Sequence, residues 1–334
     1  MSRGHETDGQ LASWDDVKDA CKWSALLLGN GLSRQAWDGF GYGSLFIEAQ
    51  RGGEHGQLTP ADLRLFTALE TENFERVLGE LSIAIRMAAA LSLDATPYYE
   101  RYASIKAALV AAIRNVHISL TTMDKDVLDR IKDVLRRQQL VFTTSYDLVL
   151  YWAMGRQNYK GFKDCFWSQG TYFDPGNCDV WASDTPVYYL HGALHLLAEG
   201  SGRTRKLTLN SQTLLEQFGQ PDPRDPTARP LVITEGSSQE KLRAIEDNVY
   251  LSHALNQLRE CHHPLVVFGS QLSDQDAHLV GVLNEEPERP IAVSIRPGEE
   301  RVIRARQGEL RHRLSSDSLM FFDATTHPLV AGSA

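Results

Sequence analysis

No two of the four cysteines in this sequence, Cys21, Cys165, Cys178 and Cys261, form a C-x-x-C pair. Without such a pair the spacing indicates neither a zinc ribbon nor a thioredoxin-type motif, so no metal is expected. The cysteines read as reduced packing residues. Long apolar runs are missing too: none approaches the ~20 residues that a membrane span needs. Residues 1–10 are polar and lack the apolar core of a secretory signal. These absences point to a cytoplasmic protein. Positive charge is short as well, with 34 Lys and Arg against 43 Asp and Glu, and the basic residues are scattered. The net charge of −9 repels phosphate backbones, which argues against a nucleic-acid partner and for a small molecule or a protein.

What is present is ordinary globular material. Of the 334 residues, 42% are hydrophobic, enough for a core without staples. A short apolar run at residues 24–28 ends directly in glycine, as a buried parallel strand entering a turn would. From about 60 to 137 the apolar residues instead recur at helical spacing, for example Leu63, Phe66, Leu69 and then Phe74, Val77, Leu78, Leu81. Strand-like runs resume at 140–144, 187–190, 231–234, 265–268, 291–295 and 319–322, with helical stretches at 239–261 and 274–283 between them. The segments 200–206 and 219–230 are read as loops. The expected fold is α/β: a Rossmann-like doubly wound parallel sheet with an inserted helical subdomain at about 60–137. Residues 1–20 would be an N-terminal tail or helix, and 21–330 the α/β domain.

Polar residues cluster where the apolar runs end. The first cluster is Gly29-Asn30-Gly31-Leu32-Ser33. Its glycines would let the backbone approach a pyrophosphate, or they simply make a tight turn, since the third glycine of the dinucleotide fingerprint is absent. In Phe142-Thr143-Thr144-Ser145-Tyr146-Asp147, Thr144 and Asp147 would face a ligand or cap the next helix. Leu190-His191-Gly192-Ala193-Leu194-His195 offers His191 as a general base near neutral pH or as a structural histidine. A metal pair of His191 with His195 is disfavoured, because no H-E-x-x-H glutamate and no third ligand accompany it. The last cluster, Phe268-Gly269-Ser270-Gln271-Leu272-Ser273-Asp274-Gln275-Asp276, would hold phosphate or ribose oxygens, or only cap a helix. A parallel sheet brings such strand ends onto one rim, so the four strengthen one another. Trp37, Phe40 and Tyr42, among Gly39, Gly41 and Gly43, would form a lid or merely pack a loop.

In this order, the clusters resemble the sirtuin-like family, particularly its prokaryotic branch of NAD-consuming defence proteins. Gly29 to Ser33 look like a G-x-G-[IL]-S phosphate loop, Phe142 to Asp147 like T-[TQ]-N-[YI]-D, and Leu190-His191-Gly192 like the L-H-G of the catalytic histidine. Gly269-Ser270 with Leu272-Ser273-Asp274 and Asp276 is similar to G-[YT]-S-[LF]-S-D-x-[DH], and Asn73-Phe74-Glu75 to an N-F-E element of that branch. The aromatic trio and the segment TEGSSQEKL at 234–242 resemble an uncharacterised bacterial family of the same clan.

The resemblance implies that Gly29, Gly31 and Ser33 touch the pyrophosphate and that Gly269 and Ser270 face the adenosine. Asn30, Thr144, Ser273 and Asp274 complete the cofactor-binding set. Asp147 would sit near the nicotinamide, and His191 would activate a water or hydroxyl. NAD is the implied ligand, homo-oligomers are the default for such folds, and a protein partner is compatible. Two departures matter. The four-cysteine zinc ribbon that frames an acyl-peptide groove is missing, which favours NAD hydrolysis over deacylation. The asparagine before Tyr-Asp is Ser145 here, which leaves open an inactive module that binds NAD or an ADP-ribose-type nucleotide as a sensor.

Overall fold

Ala25-Leu26-Leu27-Leu28 forms the first strand, β1 (Ala25–Leu28), and none of its residues is more than 1% exposed. An all-apolar strand of this kind suits a sheet covered on both faces. In the computed structural model the described residues are 9–37, 42–52, 56–167, 171–179, 184–199, 201–207, 214, 228–233 and 238–330. Nine further strands follow: β2 (Leu140–Thr143), β3 (Phe162–Lys163), β4 (Thr185–Tyr189), β5 (Gly192–Ala198), β6 (Thr204–Lys206), β7 (Arg229–Val232), β8 (Leu265–Phe268), β9 (Ile291–Ile295) and β10 (Leu319–Asp323).

Seven of them make one sheet in the order β10-β9-β8-β1-β2-β4-β3, with each neighbouring pair parallel. The fold is thus the expected Rossmann-like α/β sheet flanked by helices. β1 lies between β2 and β8, with Leu28 level with Thr143 on one side and Phe268 on the other. The chain therefore leaves β1 in one direction and returns on its other flank. Crevices at such switch points are where open α/β sheets hold ligands.

Six helices separate β1 from β2: α2 (Asn30–Ala36), α3 (Tyr42–Arg51), α4 (Pro60–Ala68), α5 (Phe74–Ala90), α6 (Thr96–Val116) and α7 (Lys125–Leu135). Phe66 packs against Phe46 and Phe74, with ring centroids 4.9 and 5.1 Å away. α4 starts with a capping box between Thr59 and Asp62. The fully buried Asp62 also accepts from Arg101 and Ser104 of α6 at 3.0 and 2.8 Å, which fastens the two helices together.

The structure corrects several expectations. The run at 231–234 is not in the parallel sheet: β7 pairs antiparallel with β5 in a second sheet, order β6-β5-β7. Gly192, at φ +76°, starts β5, and a Cβ there would lie 1.9 Å from the Leu231 carbonyl oxygen. Only glycine permits that turn out of β4. The helix expected at 239–261 is two, α9 (Ser238–Glu246) and α10 (Val249–Arg259), because Asn248 breaks the first and caps the second through Leu251 N at 3.0 Å. Cys165 and Cys178 are joined as a disulfide rather than reduced, while Cys21 and Cys261 are free. Of the aromatic trio, Trp37 donates to the Val116 carbonyl at 3.1 Å at the end of α6, which is loop packing. Phe40, Gly39 and Gly41, and the start of the TEGSSQEKL segment, fall outside the described residues, as does the side chain of Tyr42. The N-terminal α1 (Trp14–Lys18) leans on β10 through Trp14 and Phe322, centroids 5.0 Å apart. No helix among the described residues is long and apolar enough to cross a membrane.

Candidate functional site

The glycines of the first and last clusters are packed on one another. Gly29 N donates to Phe268 O at 2.9 Å and Gly31 N to Gly269 O at 2.8 Å. A Cβ on Gly31 would come within 2.6 Å of Gly269 Cα, and one on Gly29 within 2.5 Å of Ser270 Cα. Gly269 has φ +69° and a Cβ there would meet Leu32 N at 2.7 Å. The ends of β1 and β8 thus interlock through bare backbone. Gly31's amide is consumed in that lock and is not free for a phosphate.

Beneath the lock lies a buried polar knot. Ser33 and Ser145 both donate to Asp147 Oδ2, Ser145 at 2.5 Å, and their own oxygens are 3.0 Å apart. Asp147 Oδ1 accepts from Val149 N at 2.9 Å, at the start of α8 (Val149–Gly155). His117, at the end of α6, donates from Nδ1 to Ile118 O at 2.8 Å and accepts from Leu148 N on Nε2 at 3.1 Å. Burial lowers the His117 pKa against the opposing pull of Asp147, so the ring stays neutral. Asp147 therefore ties the β2 loop to the β1 loop, and does not line the cavity described next.

His191 follows β4 and is 4% exposed. Ile233 N donates to its carbonyl at 2.9 Å, holding the backbone. Its Nε2 lies 3.0 Å from His278 Nε2 on α11 (Ala277–Asn284), and His278 Nδ1 lies 3.1 Å from Ser238 Oγ, which also accepts from His278 N at 2.6 Å. Burial first, then the cation of Lys241, then the neighbouring imidazole push the His191 pKa well below the histidine range. His278 is pushed down to about 4, by burial first and then Lys241. Lys241 on α9 is itself only 2% exposed, with Asp276 Oδ1 3.9 Å from its Nζ. Burial raises the Asp276 carboxyl, with Lys241 opposing. With both imidazoles neutral, the pair shares one proton between its Nε2 atoms.

A cavity of about 500 Å³ opens over these groups. Its wall holds Gly29, Asn30 and Gly31, then Thr144 and Ser145, then His191, then Gly269, Ser270, Ser273 and Asp274. Asn73, from the end of the α4–α5 connection, closes one side, and Arg34, Lys241 and Asp276 bring charge to it. Ser33 and Asp147 stay underneath. Asp274 also pairs with Arg313 at 2.7 Å. His195 is not a partner of His191: it stacks on Tyr151, centroids 4.3 Å apart, in the core.

With that geometry in place, residues 26–329 match the domain of unknown function DUF4917. The chain belongs to that family. No curated protein matches it. Among solved structures, a sirtuin studied for substrate affinity is 11% identical, with 90% of the DUF4917 chain and 97% of that chain covered, at a TM-score of 0.33. A Sir2 with a p53 peptide and NAD+ is 12% identical, covering 84% of each chain at a TM-score of 0.28. Scores this low carry no argument, and the fold assignment rests on the sheet itself.

In the sequence, Lys241 of this DUF4917 chain carried no role beyond its place in the 234–242 segment, and His278 carried none. Lys241 sits in a polar helical stretch that reads as a solvated face, and His278 lies two residues beyond the last cluster. The only group of three metal-ligating side chains among the described residues is Cys165, Cys178 and His253, outside the cavity wall, with the two sulfurs already bonded to each other.

Proposed function

We propose that this cavity binds NAD+ and hydrolyses its nicotinamide–ribose bond. The observation that carries the reading is a buried, neutral His191 at the switch-point rim, which lines the cavity while its Nε2 is engaged by His278. If Ser238 Oγ takes both hydrogen bonds from His278, that ring's Nε2 is bare and accepts from His191 Nε2–H. His191 Nδ1 then carries the lone pair that a general base needs.

In the reaction the C1′–N bond breaks and its electron pair leaves with nicotinamide, through an oxocarbenium-like state. Water adds to C1′, and its proton passes to His191 Nδ1 as the Nε2 proton shifts toward His278. The products are nicotinamide and ADP-ribose. Burial, assisted by the Lys241 cation, keeps His191 unprotonated near neutral pH, and Lys241 with Arg34 offers positive charge to the pyrophosphate, whose expected amide donor at Gly31 is spent. Gly269 and Ser270 take the adenosine side.

One observation favours a second reading, nucleotide binding without turnover: Ser145, where the resemblance expects asparagine, gives its hydroxyl to Asp147. A sensor or assembly partner, self-associating in the cytoplasm, would need no attacking water. A defence or stress role rests on the motif resemblance alone. Purified protein incubated with NAD+ and followed chromatographically for nicotinamide and ADP-ribose tests both readings. Turnover that disappears in His191→Ala supports hydrolysis. Binding by calorimetry without turnover supports the sensor, and no binding removes both.

A further inference from the structure

A second cavity, about 490 Å³, continues from the first along the strand ends and shares Gly31, Arg34, Gly269, Ser270 and Gln271 with it. Each lobe is large enough for one nucleoside half of a dinucleotide, with the Gly31–Gly269 lock at the waist. The second lobe differs in character. Phe268, Ile295 and Val302 give it apolar walls suited to a base, and its charged residues are Arg34, Arg296 and Arg306. No carboxylate lines it among the described residues, in a chain of net charge −9 whose first lobe holds Asp274 and Asp276.

In dinucleotide sheets an acidic residue at a strand end takes the adenosine ribose diol, whereas an arginine accommodates a phosphate there. Here β9 ends at Ile295 and the next residue is Arg296. The strand end is fixed to the lock, because Ser294 Oγ accepts from Gly269 N at 3.0 Å. Arg306, on α12 (Glu300–Arg313), is pre-set: its Nη1 pairs with Glu309 at 2.6 Å and its Nη2 donates to the Gln271 carbonyl. Arg296 is exposed and forms no ion pair among the described residues.

We infer that this second lobe selects a dinucleotide whose adenosine ribose carries an additional 2′-phosphate, read by Arg296 and Arg306. Planar guanidinium groups suit a phosphate dianion: Arg296 can take two oxygens at once, while Arg306, whose Nη1 and Nη2 each already hold a partner, adds its remaining N–H groups from a fixed position. The inference deepens the dinucleotide reading above and rests on it.

Calorimetry on the full chain with four probes tests it: NAD+, NADP+, AMP and adenosine 2′,5′-bisphosphate, the last two lacking a scissile nicotinamide bond. NADP+ is expected to bind at least about tenfold tighter than NAD+, and the bisphosphate tighter than AMP by a similar factor. Arg296→Ala and Arg306→Ala should each shrink that ratio severalfold, with melting temperatures confirming that both variants are folded. Equal binding of NAD+ and NADP+ overturns the phosphate inference and leaves the dinucleotide reading intact. A preference that survives both substitutions overturns the assignment to these arginines. Failure of all four probes to bind overturns the dinucleotide reading itself.

Discussion

Gly31 donates its amide to the Gly269 carbonyl at 2.8 Å across the gap between the first and eighth strands. The two glycines that looked like a phosphate cradle are first a packing device: their missing side chains let two strand-end loops touch. Gly31→Ala should therefore force those loops apart, lowering stability by about 1–3 kcal/mol as overpacking does and weakening ligand binding with it. Gly281→Ala is the contrasting case. It lies inside α11 with nothing within 4 Å of a built Cβ, so it should raise stability by about 0.5–1 kcal/mol. Urea titrations of both variants check the pair.

His191→Ala should cut NAD+ hydrolysis by about 10²–10⁴-fold, the usual worth of a general base. His278 acts through His191, so His278→Asn should cost less and should change the pH–rate profile as well as the rate. A profile identical in shape to the parent's would mean that His278 only packs.

Acid should unfold the protein early. His278 titrates at about 4 and His327 at about 3 when folded, both because burial disfavours the charged ring, whereas an unfolded histidine titrates near 6.5. Between those values the unfolded chain binds more protons, so stability is full above about pH 6.5 and falls as pH drops toward 4. His278 alone accounts for on the order of 3 kcal/mol across that window. Urea midpoints at pH 7.5, 6 and 5 should fall in that order, and less so in His278→Asn.

The Cys165–Cys178 bond closes a short loop with a sequence separation of 13. Cys165→Ser should lower stability by about 2–4 kcal/mol relative to the oxidised parent, and by much less relative to parent kept in reductant. Melting curves with and without reductant separate the two cases.

The sheet was legible because its central strands are apolar throughout, and such runs leave little else to be. β7 misled because apolar residues alone do not say which sheet a strand joins: its neighbour is β5, which begins one residue after His191 in a turn that only Gly192 permits. The rim residues could be read because strand ends in one parallel sheet must come together, so Thr144, His191 and Ser270 share a wall. What closes that wall was only partly legible. Asn73, marked by its motif but given no role there, arrives from the helical insert, Lys241 comes from a helix whose pattern resembles a solvated surface, and Ser33 and Asp147 turned inward to bond each other. The Cys165–Cys178 pairing likewise depends on tertiary proximity that spacing does not encode.

The placement of β1 also sets an order of events during synthesis. Ala25 pairs with Leu140 on one side and Leu265 on the other, so both partners are made long after it. Contacts between residues so distant in sequence slow folding and leave sticky edges exposed in the meantime. A nascent chain that stops short of Leu265 keeps one edge of its most buried strand open, so C-terminal truncations should appear as insoluble protein rather than as smaller folded domains.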